Sequence, residues 1–292
     1  MKLAAIQYNG SEVAAVMLQD GALPLEALPE KFPTQLGTLL RSGRIEELRN
    51  TVGHLEGTPD EAIPLSEVEY APPYRDPSKL WGIGLNYTRH AGDLSADAPV
   101  EEPASFMKPA TTIIGPGENI RLPKQSNRVT GEAELGVVIG REAKNVSEDE
   151  TWAVIGGFVC VLDMTAEDIL MRNPRYLTRS KSFDTFFSFG PHLVTPDEVG
   201  SVADLEVSTV LNGEVHRSDR VSGMIFSPEQ LVAFHSRVMT LLPGDIISTG
   251  TPGATPLKPG DVLECRIGGG SRSFEPLMNP VEEDQVIWME MQ

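Results

Sequence analysis

Cysteine, aromatic residues and positive charge are all scarce in this chain of 292 residues. Its two cysteines, Cys160 and Cys265, can build neither a disulfide framework nor the ligand set of a zinc or haem site. Both lie in apolar, strand-like runs and read as reduced core thiols. Lys and Arg together number 24 against 42 Asp and Glu, a net charge of −18. Phosphate backbones are held by clustered basic side chains, and no such cluster occurs, so a nucleic-acid partner is excluded. No apolar stretch approaches the roughly 20 residues of a membrane helix. The longest, residues 153–162, is interrupted by Gly156 and Gly157. The first residues turn polar too soon for a signal peptide, so the expectation is a cytoplasmic protein with no membrane partner.

What remains is a soluble composition, 40% hydrophobic and 23% charged, in a chain long enough for one large core with a small added unit. Residues 1–71 read as a small N-terminal α/β domain. Two short strands flank the Asn9, Gly10 turn, and helical patterns follow at 34–43 and 45–55. Prolines at 72, 73 and 77 mark a linker, and residues 72–292 form the body. Strand-like runs recur there at 80–85, 135–139, 157–162, 205–211, 245–249 and 262–267. Asn212 and Gly213 signal a tight hairpin. The tripeptide Pro-Gly-Asp occurs at 243–245 and 259–261, and reads as two turns feeding adjacent strands. Ser227 with Gln230 and Ser147 with Glu150 are capping boxes. After the first, Leu231, Phe234, His235, Val238 and Leu242 predict an apolar helix stripe. The fold class is therefore α+β and mostly β, with mixed sheets.

The chemistry concentrates in carboxylates. Glu132 and Glu134 open the apolar run 135–139, and residues two apart on a strand point to the same side. Two buried like charges need a positive partner, and a hard dication such as Mg2+ or Mn2+ suits oxygen ligands. The alternative is a solvated strand edge. Asp163, at the end of the run 157–162, strengthens the metal reading, because three carboxylates converge if the two strands are neighbours. A second cluster is His90 with Asp93, an imidazole three residues from a carboxylate, suited to take a proton from water. Its alternative is a surface histidine in an exposed loop. Lys181, between polar residues and an aromatic run, can hold a substrate carboxylate or an oxyanion, or simply pair with Asp184. Ser248, Thr249, Gly250 and Thr251, followed by Pro252 after a strand, offer hydroxyl and backbone N–H groups to an anion, or are an ordinary turn. His192 is placed beside the same cavity, His235 in the core, and His54 and His216 on the surface.

In chain order, these segments resemble the fumarylacetoacetate hydrolase family over residues 72 to 281. They are Gly84, Leu85, Asn86 and Tyr87 with His90; Phe106, Met107, Lys108 and Pro109; and Gly131 to Leu135 around the two glutamates. Asp163, Lys181 to Asp184, Gly190 with Pro191, Asn212 to Glu214, Pro243 to Asp245 and Thr249 to Pro252 follow. The resemblance implies a β-rich roll, a homodimer, and Mg2+ or Mn2+ on Glu132, Glu134 and Asp163. It implies a small oxo-acid substrate: hydrolysis of a C–C bond in an acylpyruvate-like 2,4-diketo acid, or decarboxylation or keto–enol isomerisation of a 2-keto diacid such as oxaloacetate. His90, Asp93 and Lys181 would be catalytic. Lys108, Arg179, Thr249, Gly250 and Thr251 would bind substrate. A non-catalytic binding protein on the same fold is the rival. Several positions depart from the family pattern: Glu167 and Leu170 replace an expected Arg and Gln, Leu162 replaces Asn, and Asp93 replaces Glu. The Glu167 change reverses the charge where a substrate clamp is expected, and Arg172, Arg175 or Arg179 would have to supply it.

Overall fold

The structure, a computed structural model, describes residues 1–55, 57–88, 99, 101–269 and 272–284. It is mostly β, with a thirteen-stranded and a six-stranded sheet. The main path of the larger sheet runs Ile63–Pro64, Gly21–Pro24, Ser11–Met17, Lys2–Tyr8, Phe187–Val194, Ile155–Ala166, Val129–Ile139, Ile246–Ser248, Leu80–Gly84, Ala104–Met107, and Ala254–Pro256, Tyr70–Ala71 and Ile113–Ile114 pair off it. Most pairs are antiparallel, but Ile246–Ser248 runs parallel to Leu80–Gly84, so the sheet is mixed. The smaller sheet is Glu214–Arg220, Glu206–Leu211, Val262–Gly269, Leu277–Glu283 and Ile120–Leu122, with Arg272–Ser273 paired to Val262–Gly269. No helix among the described residues is long and apolar enough to cross a membrane.

The two longest strands, Val129–Ile139 and Ile155–Ala166, pair in the middle of the larger sheet. Their side chains alternate with the two-residue period of a strand. Val129, Ala133, Leu135, Val137 and Ile139 join Phe158, Cys160, Leu162, Met164 and Ala166 in one apolar cluster. Val138, Val159 and Val161 face the other way, into a second cluster that also holds Leu3, Leu36, Leu39 and Leu48. The opening strand meets the body directly: Lys2 is opposite Val194 and Leu3 opposite Leu193. The line drawn at 71/72 thus runs through residues that share a sheet and an apolar cluster.

Local signals place many of the elements. Asn9 and Gly10, and Asn212 and Gly213, all take positive φ and close two hairpins. Helices Leu36–Ser42 and Ile45–Gly53 lie where the pattern put them, and the first ends on Gly43 in the left-handed region. Both capping boxes form. The two Pro-Gly-Asp turns share a lock: the Asp245 carboxylate accepts from Leu242 N and that of Asp261 from Lys258 N, each at 2.7 Å. The strands they feed are not adjacent, however; Ile246–Ser248 belongs to the larger sheet and Val262–Gly269 to the smaller. The helix stripe is also displaced. Leu231, Val232, His235 and Ser236 are buried in Pro228–Val238, whereas Val238 is exposed. The buried face is centred on the packing of His235 against Trp81, with ring centroids 4.7 Å apart.

His192 is not beside the carboxylates. It lies on Phe187–Val194, five residues from Phe187, the partner of Asp163, or about 17 Å along the strand. It accepts from or donates to Tyr70 Oη at 2.9 Å, and burial pushes its pKa down to about 4. His54 and His216 are exposed, and Cys160 and Cys265 are buried free thiols.

Candidate metal centre

Glu132 and Glu134 lie within Val129–Ile139 and so on one side of it. Asp163 is directly opposite Glu132 in the antiparallel register. It lies within Ile155–Ala166 rather than at the strand's end, because pairing continues three residues past it to Ala166 opposite Val129. One carboxylate oxygen from each of the three residues lies within 4.8 Å of the others. Asp163 is fully buried, Glu134 nearly so, and the Glu132 side chain is 12% exposed.

Two ammonium groups reach this trio. Lys181, the last residue of the short helix Leu177–Lys181, donates to Asp163 Oδ2 at 2.8 Å and to Glu132 Oε2 at 3.0 Å. Lys108, just after Ala104–Met107, donates to Asp163 Oδ1. Lys181 Nζ also sits 5.1 Å from the Phe106 ring centre, and Lys108 Nζ 5.9 Å from that of Phe187. Glu134 meets neither ammonium; it accepts from Ser248 Oγ and, at 2.9 Å, from Gly250 N. Thr165 Oγ1 donates to Glu132 Oε1 at 2.9 Å.

The charges do not balance. Three carboxylates face two ammonium groups, leaving one negative charge in excess. The excess appears at Glu134: burial, then the charges of Asp163 and Glu132, push its carboxyl up to about 8. Burial would raise Asp163 too, but Lys108 and Lys181 overcome it and hold that carboxyl below the usual range. Burial lowers Lys108 to about 8 despite Asp163. Burial also opposes the charge on Lys181, yet Asp163, Glu132 and Glu134 outweigh it and raise Lys181 above the ordinary lysine range. An all-oxygen donor set that is buried and one positive charge short fits a hard dication. Glu132, Glu134 and Asp163 are the residues that could hold it.

The other sequence candidates divide. Thr249 Oγ1 donates to Leu135 O at 2.8 Å, and Thr251 Oγ1 to Gly253 O at 3.1 Å. Both threonines are buried, so their hydroxyls hold the chain, and only the Gly250 N–H faces the site, where Glu134 accepts it. Arg179 and Arg175 are exposed, and Arg172 pairs with Asp168 at 3.0 Å. Glu167 pairs with Arg128. His90 and Asp93 lie outside the described residues. The sequence reading missed Thr165, and it named Ser248 and Asn86 without the contacts they make. Thr165 was recoverable, since it is two residues from Asp163 on one strand. Ser248 is legible only once Ile246–Ser248 is seen to pair with Val129–Ile139. Asn86 is buried and donates to Thr249 O at 2.7 Å and Phe226 O at 3.0 Å, which ties the Gly250 turn to the segment before the capped helix.

Gly250 is fixed by its backbone. Its φ is +96°, and a Cβ there would lie 2.8 Å from Asn86 Cβ. Gly250→Ala is expected to cost about 1–3 kcal/mol in chemical denaturation, because the conformation is strained for any side chain. It should also weaken metal affinity, since the N–H that orients Glu134 moves.

Comparison with known proteins places this geometry. The model of the fumarylacetoacetate (FAA) hydrolase C-terminal domain matches residues 79–282. The chain belongs to the fumarylacetoacetate hydrolase family. A mitochondrial oxaloacetate tautomerase of Bos taurus is 36% identical over 256 residues, 85% of this chain and 81% of that protein. Among solved structures, a 2-hydroxyhepta-2,4-diene-1,7-dioate isomerase from Mycobacterium marinum is 32% identical with a TM-score of 0.75, covering 98% of this chain and 99% of that one. A maleylpyruvate hydrolase from Sphingobium sp. SYK-6, solved with manganese(II) and pyruvate, is 27% identical with a TM-score of 0.76, covering 98% of this chain and 100% of that one.

Proposed function

We propose that this chain is a divalent-metal-dependent enzyme that enolises a 2-oxo acid, and that its reaction is keto–enol tautomerisation of an oxaloacetate-type substrate. The observation that carries this reading is the buried trio Glu132, Glu134 and Asp163, one positive charge short, with two lysine ammonium groups against it. Bound Mg2+ or Mn2+ on the trio would act as a Lewis acid toward the carbonyl of a chelating 2-oxo carboxylate. Lys181 is anchored by Glu132 and Asp163, so its charge is pre-positioned to steady a developing enolate oxygen. Lys108, fixed through Asp163, supports that carboxylate from the other side. Tautomerisation moves a proton between carbon and oxygen and needs no attacking water, so it does not call for the water-activating base that hydrolysis requires. The likeness to the Bos taurus oxaloacetate tautomerase over 85% of the chain supports the choice.

Hydrolysis of an acylpyruvate-like C–C bond is the second reading, favoured by the manganese- and pyruvate-bound maleylpyruvate hydrolase and by the His90, Asp93 pair in the sequence. It requires a base that activates water, a role suited to His90. One comparison separates the two. With Mn2+, the wild type is expected to accelerate the enol-to-keto conversion of oxaloacetate, followed by ultraviolet absorbance, and a chelator should remove the acceleration. His90→Ala should keep most of it, while lowering any acylpyruvate hydrolysis at least about a hundredfold. Tautomerisation that is no faster than in buffer, with either metal, overturns the first reading.

A further inference from the structure

Beyond the metal trio, pairing between the two central strands continues outward. Val129 is opposite Ala166, and Glu167 N donates to Arg128 O at 2.9 Å, which extends the ladder by one more pair. Val129, Ala133, Met164 and Ala166 all face one apolar cluster. By strand alternation the residues between them, Arg128, Thr130 and Glu132 on one strand and Asp163, Thr165 and Glu167 on the other, share the opposite side. Thr165 confirms this at the inner end by donating to Glu132. The site's face is therefore a ladder of three pairs: Glu132 with Asp163, Thr130 with Thr165, Arg128 with Glu167.

The outer pair differs in kind from the inner one. The Arg128 side chain is 52% exposed and that of Glu167 only 15%. Glu167 Oε2 accepts from Arg128 Nε, the nitrogen nearest the aliphatic stem, and no contact within the described residues engages the two terminal nitrogens. A carboxylate held at Nε fixes the plane of a guanidinium and leaves its outer edge free. That edge is the part that donates two parallel hydrogen bonds to another carboxylate. Glu167 is itself positioned: its neighbour Asp168 accepts from Ser126 Oγ at 2.6 Å and from Arg172 at 3.0 Å, which ties the start of helix Glu167–Arg172 to the segment before Arg128. An acidic residue at 167 thus does not leave the rim negative. It orients a cation on the neighbouring strand.

We infer that Arg128, oriented by Glu167, is the specificity-determining residue that binds the second carboxylate of a 2-oxo dicarboxylic acid. The inference rests on the 2-oxo acid reading given above. Arg128 lies four positions before Glu132, about 13 Å of strand. A substrate chain and a long arginine side chain bridge that span together, with the oxo end at the trio and the carboxylate end at the rim. Arg128 is a binding group and Glu167 a positioning residue.

The test uses a length-matched pair, 2-oxoglutarate and 2-oxopentanoate, titrated by calorimetry into the Mn2+-loaded full chain. The wild type is expected to bind the diacid more tightly, and Arg128→Gln to lower the diacid-to-monoacid affinity ratio at least tenfold. Arg128→Lys should retain part of the preference, since charge survives without the two-toothed geometry. Glu167→Gln should lower the ratio less than Arg128→Gln, with the loss in KM rather than kcat for any diacid that turns over. Thermal melts establish that each variant is folded. A wild type that binds both acids without preference, or an Arg128→Gln ratio equal to the wild type's, overturns the role of Arg128. A wild type that binds neither acid contradicts the 2-oxo acid reading itself.

Discussion

Glu134→Gln should leave the metal-free protein at least as stable as the wild type and abolish its response to Mn2+. Most substitutions of a fully buried residue destabilise, so the expected sign is unusual. It follows from the charge count. The trio carries one negative charge more than Lys108 and Lys181 neutralise, and the excess is expressed at Glu134, whose carboxyl is raised to about 8. A group whose folded pKa lies above its unfolded value contributes stability that is complete below the unfolded pKa, near 4.5, and is lost as pH rises through the folded one. Between pH 4.5 and 8 the metal-free wild type should therefore lose stability that the Gln variant keeps. The amide still accepts from Ser248 and Gly250 N, so the local hydrogen bonds survive. For the wild type, a dication at a hundred times its Kd should add about 2.7 kcal/mol, a rise of about 5 °C or more in Tm. Scanning calorimetry with and without Mn2+ at pH 7.5 reads both effects. A metal-induced rise in the variant equal to that of the wild type contradicts the role given to Glu134.

Lys181→Met should act in the opposite sense. It removes the ammonium that bridges Glu132 and Asp163, and leaves three buried carboxylates against Lys108 alone. Breaking a buried ion pair by removing one partner costs about 3–5 kcal/mol. The metal-free variant is expected to melt well below the wild type. Mn2+ should then stabilise it by more degrees than it stabilises the wild type, because the dication replaces lost positive charge. Turnover should fall at least about a hundredfold even in the metal-loaded state, since the charge proposed to steady the enolate oxygen is gone. Melts across a Mn2+ titration, together with rates at saturating metal, check both parts. A variant as stable as the wild type without metal would show that Lys181 does not balance the trio.

What the sequence made legible was largely local. Asn with Gly at 9–10 and 212–213, the Ser227 and Ser147 capping boxes and Gly43 each announce a turn or cap through their own backbone chemistry. The trio was legible because two glutamates at a two-residue spacing cannot be hidden in a buried strand without a partner. The lengths of the central strands were not. Residues 129–134 carry Thr130, Glu132 and Glu134 on the face that serves the site, and that polarity disguised the first half of Val129–Ile139. For the same reason Asp163 looked like a strand end. Non-local pairing left no sequence mark either. Nothing in residues 2–8 shows that they lie against Phe187–Val194, and nothing near Ser248 or Lys108 shows that each meets a different carboxylate. Gly250 was read as part of an anion-binding turn. Its N–H does face an anion, but that anion is Glu134. Glu167 looked like a lost clamp until its cross-strand partner Arg128 came into view.

The most direct test of the central claim is a crystal grown with Mn2+ and measured for anomalous scattering at the manganese edge. One strong peak is expected between Glu132, Glu134 and Asp163, within bonding distance of an oxygen from each. A saturated crystal with no peak there, or with manganese bound only elsewhere on this acidic surface, would contradict the account.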